Sequence, residues 1–421
     1  MDGYNELQAD LPKEIESLRE NVRHFAKNVL RPASISLDKM SDPADTLTAN
    51  SPLRDVYRQA YQLGYHLASA PAETGGLGLN ALGRHVFIEE MAVGAVDLAL
   101  SLVITPFPFS IAAMSHNPEL IDRFVKPFMA DREGKMIGCW AITEPQHGSD
   151  TLRPGTPQFR NSRISGQVVA RLDGDSWVIN GQKSAWCSNG PIATHCALYL
   201  TTEPAQGMAG GGIACVPLDL PGVSKGKPLD KIGQRGLCQG EIFFDNVRIP
   251  RNWMVVESAG YEMVLGRTLC HANTTMAVAF TGLARSAFEA ALEYSKERVQ
   301  GGRPICEHQL IQKRLFEMFT KVEACRALSR RVIEYNESSP MPFVEYAIAA
   351  KTFCTQASFE VASDAVQTFG GYGLSKEYPI EKLFRDARSS LIEDGTNEVL
   401  SLTGARNILN RDGVTPHPEG N

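Results

Sequence analysis

The sequence has no cysteine pattern typical of disulfide bonds or of a metal site. Its nine cysteines are an odd number, include no CxxC pair and have no histidine cluster beside them. The start of the chain is acidic and polar, whereas a secretory signal needs a basic segment followed by an apolar one. Because free thiols suit a reducing compartment, we expect a cytoplasmic protein without a metal ion.

The chain also lacks an excess of positive charge and an uninterrupted apolar run. The formal net charge is -6 and no basic stripe is present, so nucleic acid is not an expected partner. The most apolar stretch, residues 91–114, contains Asp97, Pro106 and Pro108. A membrane-spanning helix would carry these residues at a cost. We therefore interpret the stretch as a buried core helix followed by a turn, and expect no membrane insertion.

Two common nucleotide-binding loops are missing as well. No GxGxxG follows a first strand and no GxxxxGK[ST] occurs, so the usual dinucleotide and Walker sites are not predicted. What is present is a chain of 421 residues that is 43% hydrophobic and 21% charged. This size and balance are typical of a globular protein with two or three packed domains.

The spacing of apolar residues divides the chain into three parts. Residues 1–137 show the helical period of three and four, residues 138–250 show short alternating runs, and the helical period returns in residues 251–421. The prediction is an N-terminal α-helical domain, a middle β-domain and a C-terminal α-helical domain.

Three local features refine this prediction. Asn180 and Gly181 lie between two alternating runs, a pair that favours a hairpin turn. The apolar period from about residue 344 to residue 368 predicts a long helix. The polar tail after Arg411 is expected to be loose.

Some short motifs in the β-part contain residue types that suit a flat ligand. Thr143 and Ser149 belong to a β-type run that ends in hydroxyl and acidic residues, although a side-chain-capped turn explains them equally simply. Trp186 and Ser188 lie two residues apart and would share one face of a strand. They could provide an aromatic wall with a hydroxyl group beside it, although a tryptophan in a strand is more often core.

Glycine pairs in the last part of the chain could approach a phosphate. Gly370 and Gly371 follow a helix and expose backbone N–H groups, although a helix C-cap is the more common reason for such a pair. Arg298 and Arg303 flank another glycine pair. They could hold a pyrophosphate or could cap a solvated helix end.

Seven stretches, in order along nearly the whole chain, resemble the acyl-CoA dehydrogenase superfamily of flavoproteins. They are "PAETGGLGL" from residue 71, "AITEPQHGSD" from 141, "WVINGQKSAWCSNG" from 177, "KIGQRGLCQGEIFFDNVRIP" from 231, "ERVQGGRPICEHQ" from 297, "QTFGGYG" from 367 and "FRDARSSLIEDGTNE" from 384. The resemblance implies a mainly α fold with a central β-domain. An N-terminal helical domain precedes a β-barrel-like middle domain, and a C-terminal four-helix bundle follows.

The resemblance also implies the ligands and partners of the protein. These are FAD, an acyl-CoA or carrier-bound acyl thioester, and an electron-transferring flavoprotein or another electron acceptor. A homotetramer or homodimer is expected, in which the Gly-Gly loop of one subunit touches the flavin of its neighbour.

Residue roles follow from the same resemblance. Thr143 and Ser188 would hydrogen-bond the flavin ring, Trp186 would cover one face of it, Ser149 would lie near the CoA chain, and Arg298 would meet the FAD pyrophosphate. The remaining cofactor contacts, some of them across a subunit interface, would be Gln309, Gln367, Gly370, Gly371, Thr396 and Glu398, the last replacing the family's usual Gln.

The resemblance places the catalytic base at Asp394. The family's commonest motif is Tyr-Glu-Gly-Thr with Glu as the base, and here Glu393 and Asp394 take the first two places. Some members draw the base from an earlier helix, where this chain has Ala272. The base removes the proton next to the thioester, and a hydride leaves the following carbon. Asp is shorter than Glu by roughly 1.5 Å of reach, so the loop or the substrate must compensate.

Two alternatives to a dehydrogenase remain open at this point. Nitroalkane oxidases of the same superfamily use an Asp at this place, but their Arg seven residues later is Ser401 here and the serine of an earlier helix is Ala272. A non-catalytic relative that only binds flavin or acyl groups would explain the altered base motif. Gly301, Asn273 and His147 are further departures from the family pattern.

Overall fold

The computed structural model describes residues 11–411. The first part of the chain is helical because its apolar residues recur on one helix face and capping residues mark the helix starts. Ser51 accepts a hydrogen bond from the Leu53 backbone N–H at 3.3 Å, and Pro52 takes the first helical position. The helices are α1 Lys13–Phe25, α2 Arg31–Asp38, α3 Pro52–Gln62, α4 Ala81–Gly94, α5 Val96–Ile104, α6 Phe107–Met114, α7 Pro118–Leu120 and α8 Lys126–Ala130.

The apolar stretch at residues 91–114 is buried as predicted, but it is not one helix. It spans the end of α4, all of α5 and α6, because Ala95 has an extended backbone and Pro106 stands just before α6. Val96–Met114 is apolar and long enough to cross a membrane by composition, but 67% of its apolar window is buried inside the protein. Most of its side chains therefore belong to the core of this domain, whereas Met114 at its end is exposed.

The middle part is an eight-stranded sheet. Strand order is β6-β7-β3-β1-β4-β5-β8, and β2 pairs with both β3 and β4, so that the sheet curls into a barrel-like layer. The strands are β1 Gly138–Ala141, β2 Val169–Asp173, β3 Ser176–Ser188, β4 His195–Thr201, β5 Gly211–Pro217, β6 Val223–Lys225, β7 Gln239–Pro250 and β8 Met254–Val256.

The hairpin turn predicted at Asn180 and Gly181 is wrong. Both residues lie within the continuous strand β3, where the register against β7 shifts between Ile179 and Gly181. Gly181 has φ +134°, and a Cβ there would lie 2.7 Å from the Gln167 carbonyl oxygen, so a bulge with close backbone approach replaces the turn. The pairing of β3 with β7 continues on both sides, which a turn would prevent.

The last part of the chain is a helical bundle. The helix predicted at about 344–368 is confirmed, and a small hairpin of β9 Val299–Gln300 and β10 Arg303–Pro304 separates the first two long helices. The helices are α9 Ser258–Glu297, α10 Gln309–Ser338, α11 Val344–Phe369, α12 Ile380–Ser389 and α13 Asn397–Arg411. The mainly α architecture with a central β-domain is therefore confirmed. The predicted loose tail after Arg411 lies outside the described residues.

Buried ion pairs join the N-terminal helices, the β-domain and the C-terminal helices. Asp97 of α5 accepts hydrogen bonds from the Lys382 ammonium of α12 at 3.1 Å and from the Gly236 backbone N–H at 3.0 Å. Glu89 of α4 binds Arg326 of α10 at 2.7 Å and Arg285 of α9 at 3.2 Å. Because these charges are buried, the folded state is stable only when each charge keeps its partners of opposite charge. The Asp97 junction therefore holds α12 beside the β-domain loop at Gly236, and the Glu89 junction holds α4 against the C-terminal helices.

Candidate active site

The segment that carries the predicted base is a tight turn between α12 and α13. Asp394 has φ +51° and Gly395 has φ +95°, so two successive residues occupy the left-handed region. A Cβ on Gly395 would lie 3.0 Å from the Leu400 side chain and 3.3 Å from that of Leu152. Gly395 therefore meets both a conformational and a steric requirement.

Two long-range hydrogen bonds fix this turn. The ammonium of Lys351 on α11 donates to the Gly395 carbonyl oxygen at 2.8 Å and to the Asn397 side-chain oxygen at 2.8 Å. On the other side, the Thr396 backbone N–H donates to the Ser149 hydroxyl at 3.0 Å. The turn is thus held between the C-terminal bundle and the β-domain.

Asp394 is electrostatically suited to accept a proton. Its residue is partly exposed, and its carboxylate accepts no hydrogen bond from the part of the chain that the structure describes. Desolvation raises the pKa of Asp394 from 3.8 to about 6, although the nearby Lys351 ammonium opposes this rise. A carboxylate with this pKa is ionised at neutral pH and more basic than an ordinary aspartate.

The neighbouring acid, Glu393, has a different environment. Its carboxylate accepts a hydrogen bond from the Gln234 amide at 3.0 Å, and the same amide donates to the Ser389 hydroxyl at 2.8 Å. Burial raises the pKa of Glu393 to about 7, while the Gln234 hydrogen bond and the Lys231 ammonium oppose the rise. Glu393 is therefore engaged with the β-domain loop, whereas the carboxylate of Asp394 is available to a ligand.

The β-domain presents the residues predicted to face the flavin ring. Trp186 is 57% exposed, Cys187 is buried and Ser188 is partly exposed, which is the alternation of one strand face. The Gln239 amide donates to the Ser188 hydroxyl at 3.2 Å. The Thr143 carbonyl oxygen accepts from the Ser184 backbone N–H at 2.9 Å, which joins its segment to β3.

A second bulge occurs just before Trp186. Lys183 pairs with Ile242 and Cys187 pairs with Gly240, so β3 contains two more residues than β7 over this interval. The bulge buries the hydroxyl of Ser184, which has no hydrogen-bond partner within the described residues. Bulges of this kind redirect side chains next to functional sites.

His147, which departs from the family pattern, is held by its own turn. Its Nδ1 lies 2.7 Å from a carboxylate oxygen of Asp150, and the other carboxylate oxygen accepts from the Gly148 backbone N–H at 2.7 Å. The imidazole therefore stabilises the turn that presents Ser149.

The other predicted cofactor residues surround a separate open cavity in the C-terminal part. This cavity has a volume of 1270 Å³, and Arg298, Gln309, Gln367, Gly370 and Gly371 all line it. The two glycines have no atom within 4 Å of an added Cβ, so their backbone is open to a ligand.

The predicted residues therefore fall into two groups, those that line the large cavity and those that do not. Thr143, Ser149, Trp186, Ser188 and Asp394 are absent from the lining of the large cavity. Thr396 belongs with the base turn, and Glu398 is exposed on the first turn of α13.

Sequence reasoning missed Lys351, Gln234 and Gln239. Lys351 lies four residues after Ala347, so helical periodicity places it on a buried face, where a lysine needs a partner. This signal was available in the sequence. Gln234 and Gln239 lie in the family-like stretch from residue 231, but the stretch does not indicate their partners, which are distant in the chain.

Comparison with known families covers all three parts. Family models match at residues 12–129, 139–247 and 259–409, described as the N-terminal, middle and C-terminal domains of acyl-CoA dehydrogenase. The chain belongs to the acyl-CoA dehydrogenase family. It is a flavoprotein oxidoreductase of the type that acts on CH–CH bonds.

Individual relatives agree with this membership. The chain is 31% identical over 404 residues to a probable acyl-CoA dehydrogenase fadE25 of Mycobacterium bovis, covering 95% of this chain and 96% of that protein. It is 30% identical over 400 residues to cyclohex-1-ene-1-carbonyl-CoA dehydrogenase of Geobacter metallireducens, covering 95% and 99%. The structure of butyryl-CoA dehydrogenase from Megasphaera elsdenii superimposes with a TM-score of 0.82 at 26% identity, covering 95% of this chain and 99% of that one.

The acyl-CoA dehydrogenase fold thus carries residues that fit a flavin. An exposed indole, Trp186, lies beside the Ser188 hydroxyl, and an arginine with an open glycine pair lines the large cavity. An isoalloxazine ring requires an aromatic or apolar face, and its phosphates require cations and backbone N–H groups.

Proposed function

We propose that the protein catalyses FAD-dependent α,β-dehydrogenation of an acyl thioester, with Asp394 as the base. The observation that supports this proposal best is the environment of the Asp394 carboxylate. Asp394 is a partly exposed residue whose carboxylate accepts no hydrogen bond within the described residues. Desolvation raises its pKa to about 6, and the turn that carries it is held from both sides. A structural carboxylate would be paired, whereas a base must remain available.

The residues around Asp394 would share the work of the reaction. Asp394 takes the proton from the carbon next to the thioester, and its own backbone N–H is suited to stabilise the developing negative charge on the carbonyl oxygen. FAD bound at this site would supply the oxidant for the hydride of the β-carbon. Thr143 and Ser188 would hold the flavin ring by hydrogen bonds, and Trp186 would shield one face of it.

The separation of the cofactor residues supports a shared site in a homotetramer or homodimer. Arg298, Gln309, Gln367, Gly370 and Gly371 line a cavity apart from Asp394, so the two groups would complete one another across a subunit interface. Leu310 and Leu374 are 78% and 80% exposed beside this cavity, which is unusual for leucine and suits an interface.

Replacing Arg298 by Ala should weaken FAD binding by roughly tenfold to a hundredfold, because a charge-assisted hydrogen bond to phosphate is lost. FAD content and titration of the apoprotein measure the effect. Lys296→Ala is the matched control, since Lys296 is an exposed cation two residues earlier, in the last turn of α9, that pairs with Glu293 and does not line the cavity. Equal FAD affinity of the two variants would remove Arg298 from the cofactor site.

A mixed-subunit experiment tests the shared site directly. At a limiting FAD concentration, Arg298→Ala subunits bind little FAD and Asp394→Asn subunits lack the base, so both have low activity alone and should recover activity when they are refolded together. The mixed oligomer contains sites with an intact Asp394 from one subunit and an intact Arg298 from the other. If both groups served the same subunit, mixing would restore nothing.

The substrate and acceptor are proposed from the family. The substrate is an acyl-CoA, or alternatively an acyl thioester bound to a carrier protein. Electrons pass to an electron-transferring flavoprotein or another acceptor.

We propose a cytoplasmic location, because all nine cysteines lie in the described residues as free thiols, eight of them buried.

Anaerobic bleaching of the flavin absorbance tests the proposed reaction. A panel of straight, branched and cyclic acyl-CoAs should include at least one that bleaches the flavin, with a 2-enoyl thioester as product. Nitroethane should leave the flavin oxidised, because Ser401 hydrogen-bonds the Asn397 carbonyl oxygen at 2.7 Å instead of providing a cation. Peroxide formation from nitroethane would favour a nitroalkane oxidase instead. A flavin that no acyl-CoA of the panel bleaches would favour a non-catalytic relative.

A further inference from the structure

Lys351 is a fully buried cation in the first half of α11. It is 0% exposed and lies on the same helix face as Ala347, Cys354 and Thr355, all of them buried. Moving an ammonium group into the protein interior costs several kcal/mol unless nearby groups compensate it. The residues that compensate Lys351 are those of the base turn.

Lys351 donates hydrogen bonds to the residues on both sides of Thr396. Two of its three N–H donors go to the Gly395 carbonyl oxygen and to the Asn397 side-chain oxygen, both at 2.8 Å. The Asn397 amide in turn donates to the Thr355 hydroxyl at 3.0 Å. Lys351 therefore ties α11 to both ends of the segment Gly395–Asn397.

These bonds act on a strained backbone. Asp394 is a non-glycine residue in the left-handed region, a conformation that costs about 1–3 kcal/mol and persists only when the surroundings enforce it. Lys351 holds the carbonyl oxygen of the very next residue. Without that anchor, the Asp394 backbone can relax and its side chain changes direction.

The charge of Lys351 also acts on the base turn. Three acids face it, namely Asp394 and Glu393 from the turn and Glu398 from α13. Burial lowers the pKa of Lys351 to about 8, and these acids oppose that change, so the ammonium is mostly charged at neutral pH. For Asp394, Lys351 is the cation that opposes the effect of burial.

We propose that Lys351 is a positioning residue for proton abstraction: it fixes the turn that directs the Asp394 carboxylate and balances the charge of that carboxylate. This inference rests on the proposed role of Asp394 as the base. It adds a residue that does not touch the substrate and that acts through the backbone and through the electric field.

Lys351→Met tests the inference, because Met keeps the length of the side chain and removes both the donors and the charge. Anaerobic flavin reduction by the best acyl-CoA of the panel should slow by roughly tenfold to a hundredfold. In the pH profile of this rate, the midpoint of the acid limb should move to a pH about one unit higher, since Asp394 loses the cation that favours its ionised form. Lys351→Arg keeps the charge and should keep the limb near its wild-type position.

An isotope-edited infrared titration gives a second readout that does not need turnover. In holoenzyme labelled with carboxyl-¹³C aspartate, the band lost in Asp394→Asn identifies the base, and its midpoint should rise in Lys351→Met. This result holds even if no acyl thioester is a substrate, so failure of the inference and failure of the proposed function can be told apart. Lys351→Gln, which retains a neutral donor, provides the same titration if the Met variant does not fold.

The matched control is Lys183→Met. Lys183 is also a buried lysine, 1% exposed, but it binds Glu144 at 2.7 Å and the Ile142 carbonyl oxygen at 3.0 Å in the β-domain. Its loss should lower stability and leave the Asp394 titration midpoint unchanged. A Lys351→Met enzyme with the wild-type midpoint and acid limb would overturn the proposal, and an equal shift in Lys183→Met would show that Lys351 has only a structural role.

Discussion

Replacing Asp394 by Asn should slow flavin reduction by acyl-CoA by about 10³-fold, with FAD still bound at the wild-type ratio. Asn has the shape of Asp but cannot accept the proton. Because the carboxylate of Asp394 accepts no hydrogen bond within the described residues, the substitution leaves no donor without its acceptor. Stopped-flow absorbance of the flavin under anaerobic conditions measures the rate, and the flavin to protein ratio measures retention.

The pH dependence of the same reaction should identify the group. Since the pKa of Asp394 is raised to about 6, the rate in wild-type protein should rise with pH through about 6 and level off above it. Below that region the carboxyl group is protonated and cannot act as a base. The residual rate of Asp394→Asn should lack this limb.

Glu393→Gln is the internal control for the base. The Glu393 carboxylate accepts a hydrogen bond from Gln234 at 3.0 Å, so its replacement should disturb the contact with the β-domain and slow the reaction by less than about tenfold. If Glu393→Gln were as slow as Asp394→Asn, the two acids would act as one unit, and assigning the base to Asp394 alone would be wrong.

The largest effect on stability is expected for Arg326→Met. Glu89 is 2% exposed and accepts hydrogen bonds from the guanidinium groups of Arg326 and Arg285. Removing one cation leaves a buried carboxylate poorly compensated, which should lower the free energy of unfolding by about 3 kcal/mol. Denaturant unfolding followed by circular dichroism, at equal protein and FAD concentrations, measures the change.

Arg331→Met on the same helix is the control for this change. Its side chain is 78% exposed and lies 3.5 Å from Glu334, so its loss should change the free energy of unfolding by less than about 0.5 kcal/mol. Equal destabilisation by the two variants would mean that the Glu89 cluster contributes no more than a surface ion pair.

The same cluster predicts a pH dependence of stability. Burial favours the neutral acid, but Arg326 and Arg285 outweigh it and hold the pKa of Glu89 well below its usual range. A carboxyl group whose pKa is depressed on folding contributes stability above its unfolded pKa and loses it as the pH falls through the folded value. The stability difference between wild type and Arg326→Met should therefore be full at pH 7 and shrink in acid.

Local sequence patterns predicted local structure well where the pattern was long. The helix expected at about 344–368 is found at Val344–Phe369, because an apolar period sustained over many turns leaves little alternative. Short signals were less reliable. Asn180 and Gly181 form a bulge instead of a turn, because the neighbouring strand β7 continues past them and its pairing outweighs the local preference.

The sequence by itself determined the helix-strand-helix order, the family resemblance and the choice of Asp394 as the candidate base, since each depends on short stretches that can be recognised one at a time along the chain. Only the tertiary structure showed that Ser149 reaches Thr396 across 247 residues, that Gln234 reaches Glu393 across 159, and that Lys351 reaches Gly395 across 44. Periodicity and motif spacing report which face of an element is buried, whereas such bonds depend on how separate elements pack. The environment that makes Asp394 basic and available is therefore a property of the folded chain.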